Sequence, residues 1–484
     1  MEISLWHFVL MGITVVAVIG GGIYAAGSVK SAEGYTLGGR SSGVAMVAGG
    51  IAGTAVGGGA TVGTAQMAYT LGMTAWWFTL GMGISLLIMG LFYAQRLRSS
   101  SLETIPQYLA LNYGRRAEQI SSVVSSLGIL FSAVASSLPG IGIIAAVLGI
   151  APWQAALLLI VLIAAYVFFG GMRSAGVGGM LKMGIIWTSL FAAGIAAFAA
   201  LRGMPEVSAV LPAFPWFSLF GAGVGNAWSN LIAVIVGMLC TQTYIQAVFS
   251  ASNPRTAAIG AVVAALIVIP VGLPCIAIGM FMHVAEPGLS PLLVLPTYLL
   301  HYQPAWIGGV AMGGIMLSLI SSIAGLSLGI GTMVSKDILA GLLHITDNRA
   351  LLQLNRFVVL GVMLLACSIA ILNADSQVLF WNYMSMALRG GGIFLPLTLA
   401  VFWPHRLTKG WAVASMLLST LAAVAAALLR VPVNPLFIGL AVSLLLVLPG
   451  LFGKRETAAA EVVEAAAEVR DKLAKPLAEE DSAD

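Results

Sequence analysis

No aspartate or glutamate falls within the long apolar stretches of this chain; all 18 acids sit ahead of the first, between them or in the tail. Only 8% of the 484 residues are charged, and there are 5 histidines. An intramembrane hydrolase would need an acid pair, a His-Glu-x-x-His motif or a nucleophile beside a base. None of these lies in an apolar run, so the chain reads as a non-enzyme. Cysteine is equally scarce. Cys240, Cys275 and Cys367 fall in apolar runs at unrelated spacings, which excludes a disulfide framework and a thiolate metal site. A channel's ring-forming filter motif is also missing.

What is abundant is apolar sequence. Hydrophobic residues make up 60% of the chain and its mean hydropathy is +1.01, values that indicate an all-α polytopic membrane protein. Apolar runs of helix length place thirteen transmembrane helices, near residues 5–27, 44–70, 73–95, 119–149, 153–170, 177–201, 226–249, 257–284, 306–335, 351–373, 377–402, 411–429 and 434–452. The first run is too long for a signal peptide and is led by Glu2 and His7 instead of lysines.

Basic residues set the orientation. Arg40, Arg96, Arg98, Arg115, Arg116, Arg255, Lys336 and Arg349 gather on one side with Lys30, while Arg202 and Arg430 fall on the other. The N-terminus is therefore expected outside and the C-terminus in the cytoplasm, in a bacterial-type inner membrane. Lys182 sits near the cytoplasmic start of a span and is expected to snorkel to the interface. From Gly453 the chain turns Ala/Glu-rich and ends in acids, as a solvated cytoplasmic tail would.

The second run departs from an ordinary span. Six glycines fall within the eleven residues 49–59, three of them consecutive at Gly57, Gly58 and Gly59. Each glycine weakens a helix interior by about 1 kcal/mol relative to alanine. Opened backbone is tolerated in hydrocarbon only where it lines a cavity or meets a ligand, so an interrupted helix marks a transporter's binding element. Close packing through small residues is the alternative reading. Residues 44–201 and 226–403 form two blocks of five helices, each opening on an interruptible helix, the second at residues 237–243. An odd number of helices per block makes them inverted repeats. The organisation is then an extra N-terminal helix and inside loop (1–43), the first repeat (44–201), an outside loop (202–225), the second repeat (226–403), two C-terminal helices (404–452) and the tail (453–484).

Five motifs in chain order carry a family resemblance: YTLGGR at 35–40, TIPQY at 104–108, YVFFGGMRS at 166–174, YIQAVFSASN at 244–253, and the segment 318–337. Together they resemble the sodium:solute symporter family over residues from about 5 to 450. The resemblance implies a LeuT-like fold, a 5+5 inverted-repeat core with one helix ahead of it and two behind. The activity it implies is sodium-coupled import of a small organic solute by alternating access, with a monomer as functional unit. A proton-coupled transporter of the same fold and a transporter-like sensor are the alternatives.

Ser318, Ser321 and Ser322 share one helix face by their spacing. Aligned to the family motif, a Na+ site falls on the carbonyls of Gly53, Val56 and Ser318 and the hydroxyls of Ser321 and Ser322. Serines within a helix otherwise bond to their own turn or serve as small packing residues. Ala55 and Gly179 stand where many members carry a carboxylate or amide and an acid, so one sodium is expected and not two. Lys182, one turn beyond Gly179, raises the rival idea of an ammonium standing in for sodium.

Arg389 lies about a dozen residues into its span, roughly 17 Å deep by helix rise. A charge there costs at least about 2.5 kcal/mol, so it should face a polar cavity. With no acid in any span to pair with it, Arg389 suits a carboxylate-bearing solute held bidentately, or else clamps carbonyls of a broken neighbour. Gly57, Gly58, Ala60, Thr61, Thr79, Thr241 and Gln242 are further candidate substrate residues, with Trp76, Ser125, Ser132 and Ser136 around them. Ala60 and Thr79 stand where sugar-transporting relatives carry a glutamine and a glutamate, which points away from a sugar. A monocarboxylate, a pantothenate-like acid or an amino acid fits better.

Overall fold

A computed structural model describes residues 4–26, 31–167, 171–204, 207–429 and 431–452. The expected tail, part of the YVFFGGMRS motif, and Lys30 and Arg430 of the charge count lie outside the described residues. The principal helices are α1 (Leu5–Ala26), α2 (Val44–Ala55), α3 (Thr64–Leu71), α4 (Trp76–Ile88), α5 (Arg115–Leu148), α6 (Pro152–Val167), α7 (Gly171–Ile185) and α8 (Val224–Leu239). They continue as α9 (Gln242–Phe249), α10 (Pro254–Val268), α11 (Gly272–Ala285), α12 (Ala305–Thr332), α13 (Asn348–Leu372), α14 (Val378–Phe402), α15 (Lys409–Leu428) and α16 (Pro435–Phe452). Among the described residues the only β-type pairing is an isolated bridge between Ser42 and Ala251.

Polar residues start several of these helices. Asn253 accepts from the Thr256 N–H ahead of Pro254, and Asp347 accepts from Ala350, each satisfying an end group that hydrocarbon cannot. Among the described residues, ten helical stretches are long and apolar enough to cross a membrane, or eleven when bent α8 and α9 count as one. The expected thirteen comes from also counting α2 with α3, and the short α6, as crossings of their own.

Burial sorts the bundle. The apolar window of Ala305–Leu342 is 89% buried and that of Arg115–Leu148 is 78%, so α12 and α5 form its centre. Those of Leu5–Gly22 and Pro435–Phe452 are 28% buried, which leaves α1 and α16 facing outward.

Two interruptions lie against this centre. α2 stops at Ala55, and Val56 leaves the helical region at φ −79°, ψ 74°. The Gly57 N–H donates to Ala55 O (2.9 Å), so Gly53 O loses its helical partner. The chain re-enters helix through a wide turn in which Gly63 N–H donates to Gly58 O (2.7 Å). α8 stops at Leu239 and α9 leaves it at a bend of 45°.

Glycines set how closely α2 meets α7. A Cβ on Gly179 would stand 2.1 Å from Gly49 O, and one on Gly53 would stand 2.6 Å from the Gly179 Cα. Both neighbours are backbone, which cannot yield. Gly179→Val is therefore expected to cost about 1–3 kcal/mol or more as overpacking. Gly184, with open space around its Cβ position, is the control. Thermal unfolding in detergent should show a clear loss for Gly179→Val and none for Gly184→Ala.

Candidate functional site: the broken helix α2 and the serine face of α12

At the α2 break the freed carbonyls meet the serine face of α12. Ser321 Oγ donates to Gly53 O (3.0 Å), Ser322 Oγ donates to Thr54 O (2.8 Å), and Ser318 Oγ donates to Val56 O. All three hydroxyls are buried, as unwound backbone in hydrocarbon requires. Of the expected positions, Gly53, Val56, Ser318 and Ser321 thus lie together, Ser318 by its hydroxyl and not the expected carbonyl, while Ser322 bonds Thr54 O beside them.

A fourth element reaches that point. The Lys182 ammonium, from α7, donates to Gly53 O (2.5 Å), Val56 O (2.7 Å) and Ser321 Oγ (2.8 Å). Its side chain is fully buried, which corrects the expectation that Lys182 snorkels to the interface. The reason is steric. Gly179, one turn before it on the same face, lets α7 pack onto α2 so closely that the lysine stem runs inward.

Beside this ring is a nearly closed cavity of about 10 Å³, around the least that a single water needs. Thr54, Gly57 and Ser322 border it from the ring side, Ser132 and Ser136 from α5, and Phe78, Met82, Tyr244, Asn382 and Met386 from the rest. Ser136 donates to Ser322 (3.4 Å), which donates to Thr54 O, so α5, α12 and the end of α2 are hydrogen-bonded along the cavity wall. A Cβ at Gly57 would stand 2.3 Å from Ser322 Oγ, which is why only glycine fits there.

Of the expected substrate residues, Gly57 borders the cavity, as do Ser132 and Ser136 of the serines expected around them. Gly58 packs on Pro139 and Ser136, Ala60 is buried, Thr61 donates to Gly57 O (2.9 Å), and Thr79 lies against Gly272. Thr241 donates to Gly237 O (2.7 Å), while Gln242 bonds the backbone of Ile105 and Glu103, away from the cavity. Trp76 donates to Ile269 O (3.0 Å). Arg389 donates to Gly237 O (3.1 Å) at the α8 break, to Ser385 (2.7 Å) and to Ser132 (3.4 Å), so it reaches the cavity wall through Ser132.

Asn382 and the aromatic wall of Phe78 and Tyr244 escaped the sequence reading. Asn382 carried a signal: an amide in an apolar span, seven residues before Arg389 and so on the same face. The aromatics carried none, because nothing in the sequence distinguishes them from packing residues.

A model of the sodium:solute symporter family matches residues 35–419. The chain belongs to the sodium:solute symporter family. Membership agrees with the multi-pass helical architecture described above. High-affinity choline transporter 1 of Torpedo marmorata is 25% identical over 338 residues, covering 64% of this chain and 56% of the relative. Its Homo sapiens counterpart is 25% identical over 347 residues, covering 66% and 59%. The aligned region thus spans under two thirds of the length of these relatives. A Na+-coupled sialic acid symporter solved in a substrate-bound outward-open state shares the fold with a TM-score of 0.79 at 17% identity, covering 93% of this chain and 97% of that one. Mhp1, a nucleobase-cation-symport-1 family transporter solved in a closed conformation, gives 0.56 at 14%, covering 88% and 97%.

The helical bundle is latched at its basic end. Glu103 pairs with Lys336 and accepts from Thr36 (2.8 Å), while Asp337 accepts from Thr104 (2.9 Å), Gln107 (2.9 Å) and Ser122 (3.2 Å). Burial alone would raise the Glu103 carboxyl, but the Lys336 ammonium and the Thr36 hydroxyl outweigh it and hold the group below the usual carboxylate range. Because the folded value is depressed, the latch contributes fully above the unfolded value of about 4.3, and its contribution is lost as pH falls through the folded one. Lys336→Met should leave a buried unpaired carboxylate and cost about 3 kcal/mol. Chemical denaturation at neutral pH should show that loss, the double variant with Glu103→Gln should recover part of it, and the two should converge with the wild type in strong acid.

Proposed function

We propose that this symporter imports a small carboxylate-bearing solute by alternating access, with the cavity between the two helix breaks as its binding site. One observation supports this above all. Arg389 reaches the cavity wall through Ser132, a second fully buried cation, Lys182, sits at the α2 break, and among the described residues no carboxylate pairs with either. The two buried acids, Glu103 and Asp337, bond elsewhere at the basic end. An unopposed positive core in low dielectric favours an anionic guest.

The carboxylate would lie towards Ser132, where the Arg389 field is strongest, and the apolar remainder towards Phe78, Met82 and Met386. At about 10 Å³ the cavity is closed down, so loading requires one end to open. The inverted repeats supply that motion if one five-helix block rocks against the other. The latch at Glu103 and Lys336 would then be the inward gate, and an inner-membrane orientation with the N-terminus outside follows from the basic residues gathered there.

The aromatic pair Phe78 and Tyr244 gives a second reading, because such faces also suit a quaternary ammonium and the curated relatives are named for choline. The two buried cations argue against it by repulsion.

Uptake into proteoliposomes separates the readings. Labelled monocarboxylates, pantothenate, amino acids and choline would be offered to the purified full chain. Saturable uptake of one carboxylate is expected, falling at least about tenfold in Arg389→Gln, on the scale of a lost charge-assisted contact. Uptake of choline with none of any carboxylate would reject the proposal.

A further inference from the structure

We infer that Lys182 is the resident cation of the α2 break, and that this symporter binds no sodium in the ring formed by Gly53, Val56, Ser318 and Ser321. The inference rests on the transport reading above only in treating the ring as the coupling centre.

An ammonium has three N–H donors and no acceptor. At Lys182 the three are accepted by Gly53 O (2.5 Å), Val56 O (2.7 Å) and Ser321 Oγ (2.8 Å), so the nitrogen is satisfied by the same oxygens a dehydrated alkali ion would need. Neither α2 nor α12, which supply these oxygens, carries a titratable side chain, so no carboxylate in the ring could bring in a second cation. A sodium ion placed there would meet a positive nitrogen at contact distance and find its ligands engaged.

Displacing the lysine is obstructed. Its side chain is fully buried, and α7 is held against α2 by the glycine contacts at Gly49, Gly53 and Gly179. The residues therefore do not fit the sodium that family membership implies at this ring. A tethered cation joins the broken helix to the serine face of α12 without entering or leaving with the solute.

Binding of radioactive sodium to the purified full chain in detergent tests this directly. The wild type should show no saturable binding that Ser321→Ala removes. Lys182→Ala, which vacates the ring and leaves its oxygens in place, should gain near-stoichiometric binding; Lys182→Ser is the second variant if the first does not fold. Gain of binding that is lost again on adding Ser321→Ala would establish the ring as its seat. Saturable wild-type binding abolished by Ser321→Ala would overturn the inference, as would the absence of binding in a folded Lys182 variant. Wild-type binding that survives Ser321→Ala lies elsewhere and supports it.

Solute uptake in the same preparation keeps the two readings apart. Carboxylate uptake indifferent to an imposed sodium gradient supports both. Uptake driven by that gradient and lost in Ser321→Ala rejects the lysine as resident cation while leaving the transport reading intact. Failure of every carboxylate to enter would reject the transport reading, and the binding result would still decide the ring.

Discussion

Peptide groups released inside an apolar bundle must be paired, because hydrocarbon offers no partner. Both interruptions obey this constraint, and each borrows its donors from distant sequence. At the α2 break the serine hydroxyls of α12 and the Lys182 ammonium bind the carbonyls of Gly53, Thr54 and Val56. At the α8 break Thr241 and Arg389 share Gly237 O. The interruptions are therefore stable features that bind α2 to α7 and α12, and α8 to α14.

The same pairing determines where charge resides. Lys182 and Arg389 are fully buried cations held by neutral oxygens, which satisfy their N–H groups but leave their charge uncancelled. Ser132 carries the Arg389 environment to the cavity wall, where Ser136 donates to Ser322. The core thus holds positive charge that no carboxylate among the described residues pairs.

At the basic end the charges are organised in the opposite sense. Glu103 meets Lys336, and Asp337 is surrounded by hydroxyl and amide donors, so each buried acid there has partners of its own. Gln242 and Gln246 extend this network from α9 to the backbone at Ile105, Glu103 and Thr36. α9 therefore connects the second break to the latch. One of these residues, Gln242, is a residue that a reading for substrate contacts had placed in the pocket.

Local sequence determined the membrane class, the interruption at the glycine run, and the shared face of Ser318, Ser321 and Ser322. Each follows from composition or helical periodicity within one segment. Depth along a span also located Arg389 in the core. Tertiary structure alone decided what met across segments: that Lys182 fills the ring, that Arg389 clamps Gly237 O, and that Gln242 turns to the latch. Lys182 misled the sequence reading because its distance from the span's end suits snorkelling, whereas its direction depends on Gly179 admitting α7 against α2. Periodicity reports which face a residue occupies, but the partner across that face is set by how closely two backbones can approach.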